Sequence, residues 1–104
     1  MSASSLHNDL IVFDGLIVSN WSREVFENMH EGGLTGANCT CCVWEGFTDT
    51  MRNISNWKKW IDENSDLLQQ AYSTDDIREA KKSRKTAIVL GFQNVSAFED
   101  QISY

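Results

Sequence analysis

The sequence predicts an α/β fold built on a parallel sheet, and three observations carry that expectation. Leu10–Asn20 (LIVFDGLIVSN) and Thr86–Phe92 (TAIVLGF) are apolar runs closed by turn-forming or polar residues. Such runs read as strands buried on both faces, the kind found in parallel sheets. Between strand-like stretches lie segments whose apolar residues recur every three or four positions, the spacing of amphipathic helices. The resulting order, β-α-β-α-α-β-α, implies right-handed crossovers between parallel strands.

Each element has a local reason. Residues 1–9 are small and polar and read as a lead-in, leaving 10–104 as the structured part. Ser19 or Asn20 can cap a first helix to about Glu31, with Val25, Phe26 and Met29 at helical spacing and Gly32-Gly33 as its stop. Leu34–Trp44 (LTGANCTCCVW) is rich in small and β-branched residues and reads as the second strand, with Glu45-Gly46-Phe47 turning out of it. Thr48 or Thr50 opens the longest helix, to about Asn64, whose apolar face carries Met51, Ile54, Trp57 and Ile61. Asp66–Tyr72 reads equally as a helix extension or a connection. Ser73-Thr74-Asp75-Asp76 starts a further helix that ends in the basic run Lys81-Lys82-Ser83-Arg84-Lys85, where the helix dipole favours cations. Ser96-Ala97-Phe98-Glu99 has the form of a capping box. Three strands with no fourth leave a sheet edge open, and a stop at Tyr104, two turns into that last helix, leads us to expect part of something longer.

Composition narrows the function. The chain has 104 residues and a net charge of −6, which argues against a general nucleic-acid or anionic-membrane surface. Met1–Asp9 lacks the basic and apolar regions of a signal peptide, and no apolar run approaches the roughly 20 residues of a membrane span, so the expected location is cytoplasmic. Cys39, Cys41 and Cys42 make an odd, clustered set that suits a reducing compartment and reads as buried small hydrophobes. The N-x-[ST] triplets at Asn20, Asn38, Asn53 and Asn94 read as chance matches.

In parallel α/β sheets, ligands gather at the carboxyl ends of the strands. Those ends supply Asn20, Glu45, Gln93 and Asn94 as candidate substrate-binding residues, and only Glu45 is ionisable. No nucleophile–base pair, carboxylate pair or metal cluster is visible, so no catalytic residue is assigned. His7-Asn8-Asp9 resembles a metal-binding H-x-D but precedes the first strand, at the opposite end of the sheet. His30 and the basic run at 81–85 read as solvated helix ends.

Taken together, FDG (13–15), GGLTGANCTCCVWEGF (32–47) and AIVLGFQNVSAFEDQI (87–102) resemble the opening third of the membrane (renal) dipeptidase family of metallopeptidases. The resemblance implies a zinc-dependent (β/α)8 TIM barrel, often homodimeric, that hydrolyses dipeptides or related amides. This chain would then be the first three βα units of a barrel of roughly 250 residues. In register, the family's H-x-D ligand positions are Leu16 and Val18 here, and the bridging glutamate is Gln93. The consistent expectation is a divergent member with one metal or none, its small-molecule substrate bound by the full-length protein. The alternatives are a catalytically silent barrel that binds a small amide or amino acid, and a self-contained interaction module.

Overall fold

A computed structural model describes residues 6–7, 9–17 and 20–99 of the chain. Four parallel strands, β1 (Phe13–Ile17), β2 (Gly36–Cys42), β3 (Leu68–Gln70) and β4 (Thr86–Phe92), form one sheet in the order β1-β2-β4-β3. Three helices connect them: α1 (Arg23–Glu31), α2 (Phe47–Glu63) and α3 (Thr74–Lys82). A short 3-10 turn, Ser96–Phe98, follows β4.

The strand order and the helix placement share one cause. Successive residues of a strand face opposite sides of its sheet. On β4, Ile88 joins Phe26 of α1 and Trp57 of α2 in the main core, whereas its neighbour Ala87 packs with Ala80 of α3. Helices α1 and α2 therefore cover one face and α3 the other. The chain steps one way across the sheet from β1 to β2 to β3, then doubles back to lay β4 between β2 and β3. A right-handed crossover that reverses direction must put its helix on the opposite face, which is where α3 lies.

This arrangement corrects the barrel expectation. The first three units of a (β/α)8 barrel would place strands in sequential order with every helix on the outside. Here the order is broken and both faces carry helices, so the chain forms a small α/β domain with an open four-stranded parallel sheet. The segment left open between helix and connection, Asp66–Tyr72, contains the additional strand β3.

Two strand expectations meet different fates. Thr86–Phe92 is β4 as read, and its first three residues are buried. Leu10–Asn20 is not doubly buried: the strand spans only Phe13–Ile17, pairs on one side alone, and leaves Phe13 and Leu16 exposed. An edge strand has no second neighbour to bring helices over it, and its apolar letters cannot report that. Val18 and Ser19 lie outside the described residues.

Helix ends account for much of the local order. Ser22 caps α1 by accepting the Val25 amide, and Ser73 caps α3 by accepting that of Asp76. Helix α2 begins after Gly46, which has no side chain to serve as a cap, and the carboxylate of Glu99 accepts the Phe47 amide at 3.0 Å instead. The expected capping box at Ser96–Glu99 is thus redirected: Glu99 closes a different helix, one 52 residues back in the chain. On the surface, Arg23 holds both oxygens of Asp66, at 2.8 and 2.7 Å, and ties the start of α1 to the approach to β3.

The centre of the main core is aromatic. Trp57 is 1% exposed and meets Trp21 edge-on at 4.7 Å between centroids and Trp60 at 5.2 Å. Trp57→Ala should therefore cost about 3–5 kcal/mol of unfolding free energy, read as a lowered urea midpoint of the full chain.

Candidate functional site

The carboxyl ends of β2 and β4 are held together by hydrogen bonds that continue past the sheet. The Gln93 amide donates to the Cys42 carbonyl at 2.8 Å, and a register shift between Thr40 and Cys42 bends β2 just before its end. The chain then turns so that Glu45 folds back on itself. Its Oε2 accepts the Val43 amide at 2.7 Å, while its carbonyl accepts the Ser96 hydroxyl at 2.8 Å. The Cys42 Sγ lies 3.2 Å from the same Ser96 Oγ, so the turn after β2 and the turn after β4 form one polar knot.

Beside this knot is a cavity of about 180 Å³ lined by Trp21, Thr40, Cys41, Val43, Glu45, Asn53, Trp57 and Trp60. Its aromatic walls come from the loop before α1 and from successive turns of α2. Asn53 sits one turn before Trp57, and its Nδ2 donates to the Cys41 carbonyl at 2.9 Å, leaving Oδ1 without a partner among the described residues. The lining thus combines aromatic faces with one carboxamide and one carboxylate. Those groups match the apolar body and the paired donor and acceptor of a small amide.

Electrostatics limit what the cavity can do. The Val43 amide, followed by backbone bonds within the turn, holds the Glu45 carboxyl below its usual value, which makes it a weak base. Burial pushes the Cys41 thiol up to about 11 and the Cys39 thiol up to about 12, so neither is a thiolate near neutral pH. All three cysteines are free and buried, as small core residues are. Among the described residues the site holds no nucleophile–base pair.

A zinc centre of the kind the family resemblance implied does not fit the residues present. Leu16 is an aliphatic side chain on the exposed edge strand and Gln93 is a neutral amide, neither able to serve as a charged ligand. Val18 lies outside the described residues, and among those described no group of three His, Cys, Asp or Glu could hold a metal. His7 sits where its position before β1 suggested, at the amino end of the sheet, its Nε2 donating to the Gly32 carbonyl at 2.7 Å.

Of the four expected binding residues, Glu45 alone lines the cavity. Gln93 and Asn94 stand at the neighbouring strand end outside it, and Asn20 is exposed one residue before Trp21. Trp21, Asn53 and Trp60 were not anticipated. The signal for Asn53 was available: a carboxamide one turn from Trp57 on an otherwise apolar helical stripe.

Comparison with known proteins adds a direct finding. The whole chain superposes on a solved structure of an amidohydrolase from Pseudomonas aeruginosa with a TM-score of 0.96 and 57% identity. It covers 100% of this chain and 32% of that protein, so the chain spans about a third of its neighbour's length. No family model and no curated protein matches the chain. The likeness supports a hydrolase-type relationship and does not single out the membrane dipeptidases. No helix among the described residues is long and apolar enough to cross a membrane.

The Glu45 knot has a pH signature. A carboxyl depressed in the folded state stabilises above its unfolded value, near 4.5, and loses that contribution as pH falls through the folded value. Wild type should therefore melt above Glu45→Gln at neutral pH, and the gap should close as pH falls below about 4.5 in thermal scans of both proteins.

Proposed function

We propose that this chain is the amide-recognising part of a hydrolase-type protein, and that it supplies binding walls rather than the reacting groups. The observation that carries the proposal is the 57% identity over the whole chain with an amidohydrolase. The cavity beside Glu45 and Asn53 supports it chemically, because an unpartnered Asn53 Oδ1 is an acceptor for an amide N–H and the tryptophans can pack the substrate's apolar part. At about 180 Å³ the cavity is smaller than the usual small-molecule pocket of about 300–1,000 Å³. It therefore holds one portion of a substrate, with catalytic groups coming from outside these residues. A dipeptide or related small amide is the substrate class, and a cytoplasmic homodimer is the assembly that goes with this reading.

A second reading, a silent protein that binds a small amide or amino acid without turnover, is favoured by Leu16 and Gln93 standing at the positions where the family resemblance implied metal ligands.

Steady-state kinetics of the full-length protein on a panel of dipeptides and simple amides decide between them. We expect hydrolysis, with Asn53→Ala raising KM by about tenfold and leaving kcat within about twofold, the mark of binding lost equally in ground and transition states. Binding without turnover across the panel would establish the second reading, and neither binding nor turnover would overturn both.

A further inference from the structure

At the opposite end of the sheet, before β2 and β4 begin, lies a larger cleft of about 410 Å³ lined by His30, Gly33, Leu34, Thr35, Lys81, Arg84 and Lys85. Every ionisable group in that lining is basic. The chain as a whole is acidic, with nine Lys and Arg against fifteen Asp and Glu, yet four of the nine cations fall within residues 81–85. Among the described residues, neither Arg84 nor Lys85 pairs with a carboxylate.

The backbone around the cleft shows an unusual choice. Helices α1 and α3 end in the same hydrogen-bond motif. In α1, the Gly33 amide donates to His30 and the Leu34 amide to Met29; in α3, the Arg84 amide donates to Lys81 and the Lys85 amide to Ala80. The motif requires a left-handed residue after the last turn, a position that favours glycine. Helix α1 uses Gly33 there, with φ 77°, whereas α3 uses Arg84, with φ 58°. An arginine in that conformation is strained, and its charge lines the cleft. The two helix ends are joined across it by His30, whose Nε2 lies 2.9 Å from the Arg84 carbonyl. A carbonyl only accepts, so Nε2 carries the proton and Nδ1 is left for another partner. Thr35 Oγ1 already accepts the Val12 amide at 2.9 Å, which leaves its own proton to donate.

We infer that this cleft is a binding site for a phosphate group, free or carried on a small molecule. Arg84 supplies a planar fork suited to a tetrahedral oxyanion, Lys85 adds a point charge, and the Thr35 hydroxyl adds a neutral donor. Arg84 and Lys85, which pair with no carboxylate among the described residues, match the two charges of a divalent oxyanion better than a singly charged carboxylate. The volume lies within the range of small-molecule sites, with room for an ester beyond the phosphate itself.

Calorimetric titration of the full chain at low ionic strength, with inorganic phosphate, phenyl phosphate and acetate in separate arms, tests this. Both phosphates should bind, and acetate should bind about tenfold more weakly or worse. Tighter binding of phenyl phosphate assigns the site to an ester, and equal affinities assign it to the free anion. Arg84→Gly and Lys85→Gln should each weaken phosphate binding about tenfold, while Lys82→Gln, one charge removed from outside the lining, should change it less than about twofold. Arg84→Gly should also melt higher by about 2–5 °C, because glycine relieves the left-handed strain. A gain in stability coupled to a loss of binding separates a ligand-binding arginine from a structural one. Failure of both phosphates to bind, acetate binding as well as phosphate, or Lys82→Gln weakening binding as much as Lys85→Gln would overturn the assignment.

Discussion

The structure depends on β4 being buried from both sides at once. Ala87 and Ile88 are adjacent in the chain and face opposite layers, each fully shielded from solvent. A strand in that position must be largely apolar and must recruit helices to both faces, since either face left bare would keep its apolar surface in water. The placement of α3 against α1 and α2 follows from this requirement together with the handedness of the crossovers. So does the role of β3, a three-residue strand that pairs with the buried start of β4, Thr86 to Ile88, on the side away from β2.

With β2 and β4 side by side at the centre, the two ends of the sheet acquire opposite characters. At the carboxyl end, the turns after both strands are knotted by Glu45, Cys42 and Ser96, and the tryptophans of the core reach the surface as the wall of a small cavity. At the amino end, two helices terminate in matching motifs, and the end of α3 presents cations. Strand direction alone does not produce this difference. A helix preceding a parallel strand ends near that strand's start, so basic residues favoured at helix C-termini collect at the amino end of the sheet. Arg84 goes beyond that tendency, because it occupies a backbone position where glycine would fit with less strain.

The legible and illegible parts of the sequence divide along a physical line. Signals carried by a residue and its near neighbours were readable: the Ser73 cap, the strand Thr86–Phe92 with its buried start, the inward Ile54, Trp57 and Ile61 of α2 and the buried cysteines, whereas Met51 and Phe92, read as inward, are exposed. Contributions from distant segments were not. Glu99 looks like the third position of its own capping box and instead closes α2 from across the fold. Leu10–Asn20 looks like a central strand and is an edge, because burial belongs to neighbours and not to the apolar letters themselves. Of the expected site residues, Glu45 lines the cavity from its position after a strand, whereas Asn53, read only as the start of a chance N-x-[ST] triplet, reaches the same cavity from a helix.

The sequence by itself determined the class of the fold: parallel strands alternating with helices, capped and stopped where the local chemistry says. Tertiary structure alone decided the order of strands, the division of helices between faces, and the gathering of Lys81, Arg84 and Lys85 with His30 and Thr35. The reason is that periodicity and capping act within a few residues and are written in the chain. Strand order is set by competition among non-local pairings, and a three-residue strand such as Leu68–Gln70 leaves almost no periodic trace. The same basic run that reads as a solvated helix end becomes the wall of a cleft only when β2 and β4 bring two helix termini together.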